Sequence, residues 1–359
     1  MTALKFMEQQ ALDPKLMICP YCGEAARLGV HVEAERRLIC HACHGTFAET
    51  KGTAFFGLHY PVWVIVLVLT LLAYGYPVPA IVAAFYVNER TVALWHRKAG
   101  QHGKRVQAEI VCQGQVELGQ VQADELCVTV QGGKKVWVAT AMSVFSRLFL
   151  WGEVSTRRDR SLIERVMNQV RAAAGNIVQP VLVAVDGLAA YPRAIRKAFA
   201  DKFYSGQPGR PPLRPWPDLH IVQVVKQHQG CKLVKVSRRL AYGCLDQVYD
   251  LIAMSQAGLG QINTAFIERL NATFRARMPA LTRRTRSLAR TTHRLETELF
   301  WSGAVYNFCT IHTSLAATPT MAAGLTEQVW SVEQLLRYGG PAVACRQKRS
   351  RTAAAAWRN

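Results

Sequence analysis

The sequence predicts a multi-domain α/β protein, in which a small metal-stapled module and an all-α segment precede a larger mixed-sheet domain. Three observations predict this class. Two Cys-x2-Cys pairs lie within residues 1–58, an apolar stretch with helix signals follows over residues 59–104, and β-branched runs alternate with helical patterns over residues 105–318. Residues 319–359 form a basic C-terminal tail. A chain of 359 residues is long enough for several domains with substantial cores.

The charge of the chain is strongly positive. Lys and Arg number 44 against 24 Asp and Glu, which gives a formal net charge of +20. The excess is local: residues 275–294 include seven arginines and no acid, and residues 193–239 include eleven basic residues and two acids. Nucleic acid is the commonest source of counter-charge for such clusters, and an anionic membrane surface is the second. We therefore expect a nucleic-acid partner, with a basic but inert surface as the alternative.

The most apolar segment, residues 61–76, predicts a buried helix rather than a membrane span. It is shorter than the roughly 20 residues that a spanning helix needs, and Pro77 and Pro79 follow it at once. A membrane anchor is the alternative. The N-terminal residues carry no apolar signal segment, and six of the ten cysteines are scattered, which is typical of reduced thiols in a cytoplasmic protein.

Four cysteines predict a structural metal site. Cys19, Cys22, Cys40 and Cys43 form two Cys-x2-Cys pairs with 17 residues between them. Each pair can turn tightly and offer two thiolates to one ion, and four thiolates in a tetrahedron suit one structural Zn²⁺. A redox pair or a coincidence is the alternative. Because so short a segment has little core of its own, we expect metal binding and folding to be a single event.

The residues that follow predict a helix-turn-helix. A short helix is expected over residues 79–85, a turn at Val87 and Asn88, and a second helix over residues 89–99 with Asn88 as its N-cap. In such a motif the second helix enters the major groove of DNA. An ordinary helical hairpin is the alternative. The candidate DNA-contacting residues of this helix are Arg90, Thr91, Arg97 and Lys98.

The middle of the chain predicts a mixed sheet that carries two acids. Strand-like runs over residues 119–130, 135–142 and 149–154 are followed by a helical pattern over residues 160–174 and by an apolar strand that ends in Asp186. This order matches an RNase-H-like fold, in which the first acid lies within strand one and the second ends strand four. Asp124 and Asp186 occupy those places. Because neighbouring strand residues face opposite ways, we expect Asp124, and not the adjacent Glu125, to point at the site.

A third carboxylate is expected from the helix predicted over residues 261–277. Its apolar residues recur at helical spacing, and Thr264, Glu268, Asn271 and Arg275 form a second, polar stripe. Glu268 therefore shares a face with an amide and a guanidinium. A solvated Glu on an amphipathic helix is the alternative for this residue taken alone.

The order Asp124, Asp186 in VDGLAAYPRAI and Glu268 in NTAFIERLNATFR resembles the DDE catalytic triad of bacterial insertion-sequence transposases. The segment YNFCTIHTSL at residues 306–315, followed by TPTMAAGL at residues 318–325, is similar to the closing segment of that family. Thr310 and Ile311 depart from it, because a basic residue and a proline often precede the histidine. The front end resembles the subset of these transposases that carries a zinc ribbon and a helix-turn-helix. The similarity extends over roughly residues 19–336.

This resemblance implies a function and its partners. Asp124, Asp186 and Glu268 would hold two Mg²⁺ (or Mn²⁺) ions, which promote strand cleavage at the element ends and transfer of the 3′-hydroxyl into target DNA. The front end would recognise the terminal inverted repeats, and a homodimer or higher assembly would join two ends at the nucleoid. The alternatives are an inactive or domesticated transposase-derived DNA-binding protein and a zinc-ribbon transcription regulator. The residues expected to hold DNA phosphates are Arg275, Arg283, Arg284 and Arg286.

Overall fold

The computed structural model describes residues 12–340, except 176–178, 205, 207–208, 231, 256–259, 284 and 286. The chain divides into two compact units: Met1–Trp63 together with Arg337–Asn359, and Val64–Leu336. The second unit includes nearly all of the segment predicted as a helix-turn-helix domain and the whole of the segment predicted as the mixed-sheet domain. The predicted domain limits stay predictions.

The first unit is built on a small antiparallel sheet. Its strands are β1 (Leu28–Val32), β2 (Arg37–Cys40) and β3 (Thr46–Ala48), in the order β1-β2-β3. Leu38 and Phe47 are buried in its core together with Leu12 and two cysteines. So few apolar side chains contribute little to stability, and domains of this size usually need a metal or a disulfide.

Three helices follow: α1 (Val62–Ala73), α2 (Val78–Phe85) and α3 (Glu89–Val106). Val68 and Leu69 of α1 are almost fully buried, and the carbonyl of Leu69 accepts a 2.9 Å hydrogen bond from Trp301 Nε1. No helix in the described part of the chain combines the length and the apolar character needed to cross a membrane. Asn88 caps α3 as expected, because its side chain accepts a 2.8 Å hydrogen bond from the Arg90 N–H.

The rest of the second unit is an α/β arrangement around a six-stranded mixed sheet. The strands run in the order β11-β10-β7-β4-β5-β6, and β4, β7 and β10 are parallel neighbours at its centre. The predicted α/β class with a mixed sheet is confirmed. The elements are β4 (Gly119–Thr129), β5 (Lys135–Ser143), β6 (Phe149–Ser155), α4 (Arg160–Ala174), β7 (Val181–Asp186), α5 (Ala190–Ala198), β8 (Ala200–Lys202), β9 (Leu213–Pro215), β10 (Leu219–Gln229), β11 (Lys232–Tyr242), α6 (Leu245–Met254), α7 (Ala265–Arg277), α8 (Thr292–Cys309), α9 (Pro319–Ala322) and α10 (Val332–Arg337).

Helices cover both faces of this sheet. On one face, Leu126 of β4 and Val138 of β5 pack with Phe274 of α7 and Leu299 of α8. On the same face, α6 packs over β7 and β10. On the opposite face, Glu153 of β6 pairs with Arg165 of α4 at 3.3 Å. Both faces of β7 are buried, as its unbroken apolar sequence predicts.

Helix α3 is longer than predicted and packs tightly against α8. The sequence places its end near Gly100, but the helix continues to Val106 and then forms one π-helical turn, Gln107–Val111. A Cβ atom on Gly103 would lie 2.9 Å from the Phe300 carbonyl oxygen, and one on Gly100 would overlap the Thr297 carbonyl. These glycines therefore do not end the helix; they allow the two backbones to approach closely.

Candidate active site and metal centre

The four predicted zinc ligands come together in the first unit. The thiols of Cys19, Cys22, Cys40 and Cys43 all lie within 4.8 Å of one another. The Sγ–Sγ distance is 3.7 Å for Cys19 and Cys43 and 3.6 Å for Cys22 and Cys40. A tetrahedron with Zn–S bonds of about 2.3 Å has edges of about 3.8 Å, so the grouping is compatible with structural zinc.

The pKa of one of these thiols, that of Cys40, is lowered. Burial opposes ionisation of Cys40, but backbone N–H donors of Cys43 and Ala42, together with the thiols of Cys22 and Cys43, lower the pKa of Cys40 to about 7, whereas the pKa of Cys22 is raised to about 12. The thiolate is the form that binds a metal ion, so this turn of backbone favours the form that coordination requires.

The second candidate site lies where β7 ends. Strand β7 pairs with β4 as far as Val185 and with β10 as far as Asp186. Strands β4 and β10 both extend beyond that point, so the end of β7 leaves a notch between them. In α/β sheets, ligands bind outside the carboxyl ends of parallel strands, where such notches form.

A cavity of about 770 Å³ occupies this notch. All three predicted catalytic acids line it, although they come from β4, the end of β7 and α7. Four basic side chains and one buried amide line it with them. The polar lining residues are Asp124, Asp186, Glu268, Arg158, Lys226, Arg275, Arg283, Thr264 and Asn271.

Asp124 is held by the amide of Asn271. Asn271 Nδ2 donates a 2.9 Å hydrogen bond to Asp124 Oδ2, and Asn271 Oδ1 accepts one of 3.0 Å from Thr140 Oγ1. Burial raises the pKa of Asp124, and the negative charges of Asp186 and Glu268 raise it further. A nearby cation would favour the ionised form of this carboxyl group.

Glu268 lies in the same cavity but is bound to other side chains. Thr264 Oγ1 donates a 2.7 Å hydrogen bond to Glu268 Oε1, and the Lys226 ammonium pairs with the same oxygen. Burial opposes ionisation of Glu268, but the hydrogen bonds from Lys226 and Thr264 outweigh it and lower its pKa. Glu268 is therefore poised as a carboxylate, with Lys226 as its counter-ion.

Glu125 reaches the site, contrary to the expectation that only Asp124 would. Carboxylate oxygens of Asp124, Glu125 and Asp186 all lie within 4.8 Å of one another. Residues 124 and 125 do face opposite sides of β4, but β7 has ended beside them. Because no strand is hydrogen-bonded to this edge of β4 beyond the end of β7, the Glu125 side chain can reach past the edge to the carboxylates on the other face.

Arg158, in the loop before α4, joins two of these acids. Its Nη2 lies 3.3 Å from Glu125 Oε2 and 3.2 Å from Asp186 Oδ2, and its guanidinium lies over the Trp137 ring. Burial raises the pKa of Glu125 to about 7, and the charge of Asp186 adds to this, although Arg158 works against both. No sequence pattern indicates a role for Arg158 or Lys226, because their partners lie far away in the chain.

Two of the four arginines expected to hold phosphates lie at the cavity. Arg275 and Arg283 line it. Burial lowers the pKa of Arg275, and the charge of Arg283 lowers it further. Arg284 and Arg286 lie outside the described residues. The cavity thus combines acids that can bind a cation with basic groups that can bind an anion.

The predicted DNA-contacting residues of α3 lie on its accessible side. Arg90 and Arg97 are exposed, and Thr91 and Lys98 are half-buried. Arg90 and Arg97 also line a groove of about 390 Å³ between α3 and the beginning of α8, together with His293 and Arg294.

The fold and the cavity define an α/β protein whose parallel strands carry a cluster of carboxylates within a basic rim. Comparison with models of known protein families gives no match, and comparison with curated protein sequences gives none either.

Proposed function

We propose that the chain is a DDE-type DNA transposase that cuts DNA at the ends of its element and transfers the freed 3′-hydroxyl into target DNA. One observation carries this proposal. Asp124, Asp186 and Glu268 are widely separated in the sequence, yet they line a single cavity with a basic rim. Cation-binding and phosphate-binding groups side by side are what phosphodiester transfer requires.

The arrangement of the sheet supports the proposal. Three antiparallel strands, β4, β5 and β6, are followed by α4, and β7 then pairs in parallel with β4. That is the order expected of an RNase-H-like domain, with Asp124 within its first strand and Asp186 at the end of its fourth.

The donor set of the cavity fits two hard divalent cations. Its oxygen donors are carboxylates, which Mg²⁺ and Mn²⁺ prefer. Such ions, when bound, activate the entering oxygen and stabilise the leaving oxygen of a phosphodiester. Asp124 and Asp186 would hold one ion between them, Asn271 would fix the orientation of Asp124, and Glu268 would complete the site once Lys226 releases it.

The basic residues would hold the DNA. Arg275 and Arg283 stand where they can neutralise a phosphate beside the carboxylates. The exposed side of α3, including Arg90 and Arg97, would read the terminal inverted repeats, and the four-cysteine module would hold one structural Zn²⁺ and assist in end binding.

An incubation with DNA ends tests the proposal. The purified chain is mixed with duplexes that carry the terminal inverted repeats of its element, with Mg²⁺ and then with EDTA. We expect strand cleavage with Mg²⁺ and none with EDTA. The Asp186→Ala variant should lose this cleavage but should still bind the DNA ends in a gel shift. Asp250→Ala is the matched control, because Asp250 is exposed on α6. Binding without metal-dependent cleavage would support the inactive or regulatory alternative instead.

A further inference from the structure

We propose that Glu125 is an additional metal-binding carboxylate beside Asp124 and Asp186, and that Arg158 is the cation which the metal displaces. This inference rests on the proposed metal site of the cavity. It goes beyond the three-acid triad, since Glu125 belongs to the opposite face of β4.

The first argument is the state of the Glu125 side chain. The side chain is fully buried, and its Oε1 has no hydrogen-bond partner within the described residues. A buried carboxylate oxygen that accepts no hydrogen bond is costly, so such atoms call for an explanation. A cation bound among Asp124, Glu125 and Asp186, whose oxygens already lie within 4.8 Å of one another, would give this oxygen a partner.

The second argument is the position of Arg158. Its single guanidinium is shared between Glu125 and Asp186, at 3.3 and 3.2 Å. One positive charge cannot balance the three clustered carboxylates, whereas a divalent ion brings two charges to the same place. The side chain is 35% exposed, so it can leave the acids without disturbing the core.

The third argument is that Glu268 is already paired. Thr264 and Lys226 both bind its Oε1, and it is not part of the group that Asp124, Glu125 and Asp186 form. The first cation therefore binds among Asp124, Glu125 and Asp186. Glu268 serves a second cation, after Lys226 has turned away.

The exchange has a consequence for the substrate. Arg158 lines the wall of the cavity and lies over the Trp137 ring, so a bound metal ion would release its guanidinium at that wall. A free guanidinium there is available to a DNA phosphate. Metal binding would thus convert Arg158 from a partner of the acids into a partner of the substrate.

Titration of the zinc-loaded full chain with Mn²⁺ tests this, with the free ion followed by its electron paramagnetic resonance signal. We expect Glu125→Gln to weaken the tighter Mn²⁺ site by about 10-fold or more, the usual cost of losing a ligand or its support. Glu153→Gln is the matched control. Glu153 faces the same side of the sheet and pairs with Arg165 at 3.3 Å, but it is not part of the carboxylate group that Asp124, Glu125 and Asp186 form. This control should bind Mn²⁺ as the wild type does.

Arg158→Gln tests the second half of the proposal. Removing the competing charge should tighten Mn²⁺ binding several-fold, whereas unchanged or weaker binding would overturn the displacement. Thermal unfolding verifies that each variant is folded. If Glu125→Gln does not fold, Glu125→Asp, which keeps the charge but shortens the reach, should show the same loss.

The Mn²⁺ titration tests the role of Glu125 independently of whether the chain cuts DNA. Mn²⁺ binding that depends on Glu125, without any DNA cleavage, would support the metal site and argue against the proposed transposase activity. Wild-type Mn²⁺ affinity in a folded Glu125→Gln variant overturns the inference, whether or not the chain cuts DNA.

Discussion

Asp124 and Asn271 are 147 residues apart in the chain, and a 2.9 Å hydrogen bond from the Asn271 amide to the Asp124 carboxylate joins them. The same amide accepts a hydrogen bond from Thr140. Asn271 therefore docks α7 on β4 and β5, and with it fixes where Glu268, one turn earlier on α7, enters the cavity. Positioning of the acids and stability of the fold depend on the same side chain.

Replacement of Asn271 by Asp should destabilise the second unit. The new carboxylate would still accept from Thr140, but it would face Asp124 without a hydrogen to donate. Loss of a buried hydrogen bond combined with like-charge repulsion costs about 2–3 kcal/mol. Urea unfolding at pH 7.5 measures this. Thr140→Val, which removes only the hydroxyl, should cost less; an equal or larger cost would show that the bond from Asn271 to Asp124 is not the more stabilising of the two.

Metal removal should unfold the first unit selectively. Its core is small, and four thiols lie at metal-binding distances. We expect one zinc ion per chain by elemental analysis, and loss of that zinc in Cys22→Ser. Cys127→Ser is the matched control, because Cys127 is also an exposed free thiol but lies on β4. Zinc retained in Cys22→Ser would argue against a four-thiolate site.

Gly100→Ala should be destabilising, although the same change in an exposed helix is stabilising by about 1 kcal/mol. The added methyl group would overlap the Thr297 carbonyl, so α3 and α8 would have to separate. We expect a loss of about 2 kcal/mol or more, as is usual for overpacking. Chemical denaturation gives the sign directly. A gain in stability would mean that the backbones of α3 and α8 do not approach this closely at Gly100.

Local patterns predicted much of this fold, and the failures have a common cause. The cysteine pairs, the Asn88 cap and the buried strand ending in Asp186 depend on neighbours in sequence, and the structure has them as expected. The second helix was expected to end at residue 99, just before Gly100; the helix continues instead, and only the contact with α8 explains this glycine.

Local patterns also predicted part of the candidate site and missed the part that depends on contacts between distant elements. The alternation of strand residues correctly separates the faces of Asp124 and Glu125, but it assumes a strand on each side. Whether β7 extends far enough along β4 to lie beside Glu125 depends on its register with β4 and β10, which no local pattern encodes. Arg158 and Lys226 were missed for the same reason, since each is defined by partners on other elements.

DNA binding should depend on the exposed arginines of α3. Neutralising Arg90 and Arg97 together should weaken binding to element-end duplexes. If each contacts one phosphate, the dependence of log affinity on log salt should become shallower by about 2. Fluorescence anisotropy at several salt concentrations measures both effects. Arg165→Ala is the control, because Arg165 pairs with Glu153 on the far side of the sheet. An identical salt slope in the double variant would remove α3 from the DNA interface.

Acid should destabilise the second unit through His102. Its Nε2 donates a 2.8 Å hydrogen bond to the Leu335 carbonyl, so Nδ1 accepts from Arg105 Nη2 at 3.2 Å and has no room for a proton. Burial lowers the pKa of His102 from 6.5 to about 4, and the charge of Arg105 contributes. Above pH 6.5 the folded and unfolded states are both neutral at this group, so it has no effect there.

As the pH falls from 6.5 towards 4, the unfolded state gains a proton that the folded state cannot accept. The free energy of unfolding should therefore fall across this window, by up to about 3 kcal/mol from this residue. Urea unfolding at pH 7 and pH 4.5 measures the difference. His102→Gln can keep the bond to Leu335 without titrating, so its loss of stability over this window should be smaller than that of the wild type. His59→Gln, at an exposed histidine, should leave the wild-type dependence unchanged; equal slopes for both variants would show that His102 is not the group that titrates.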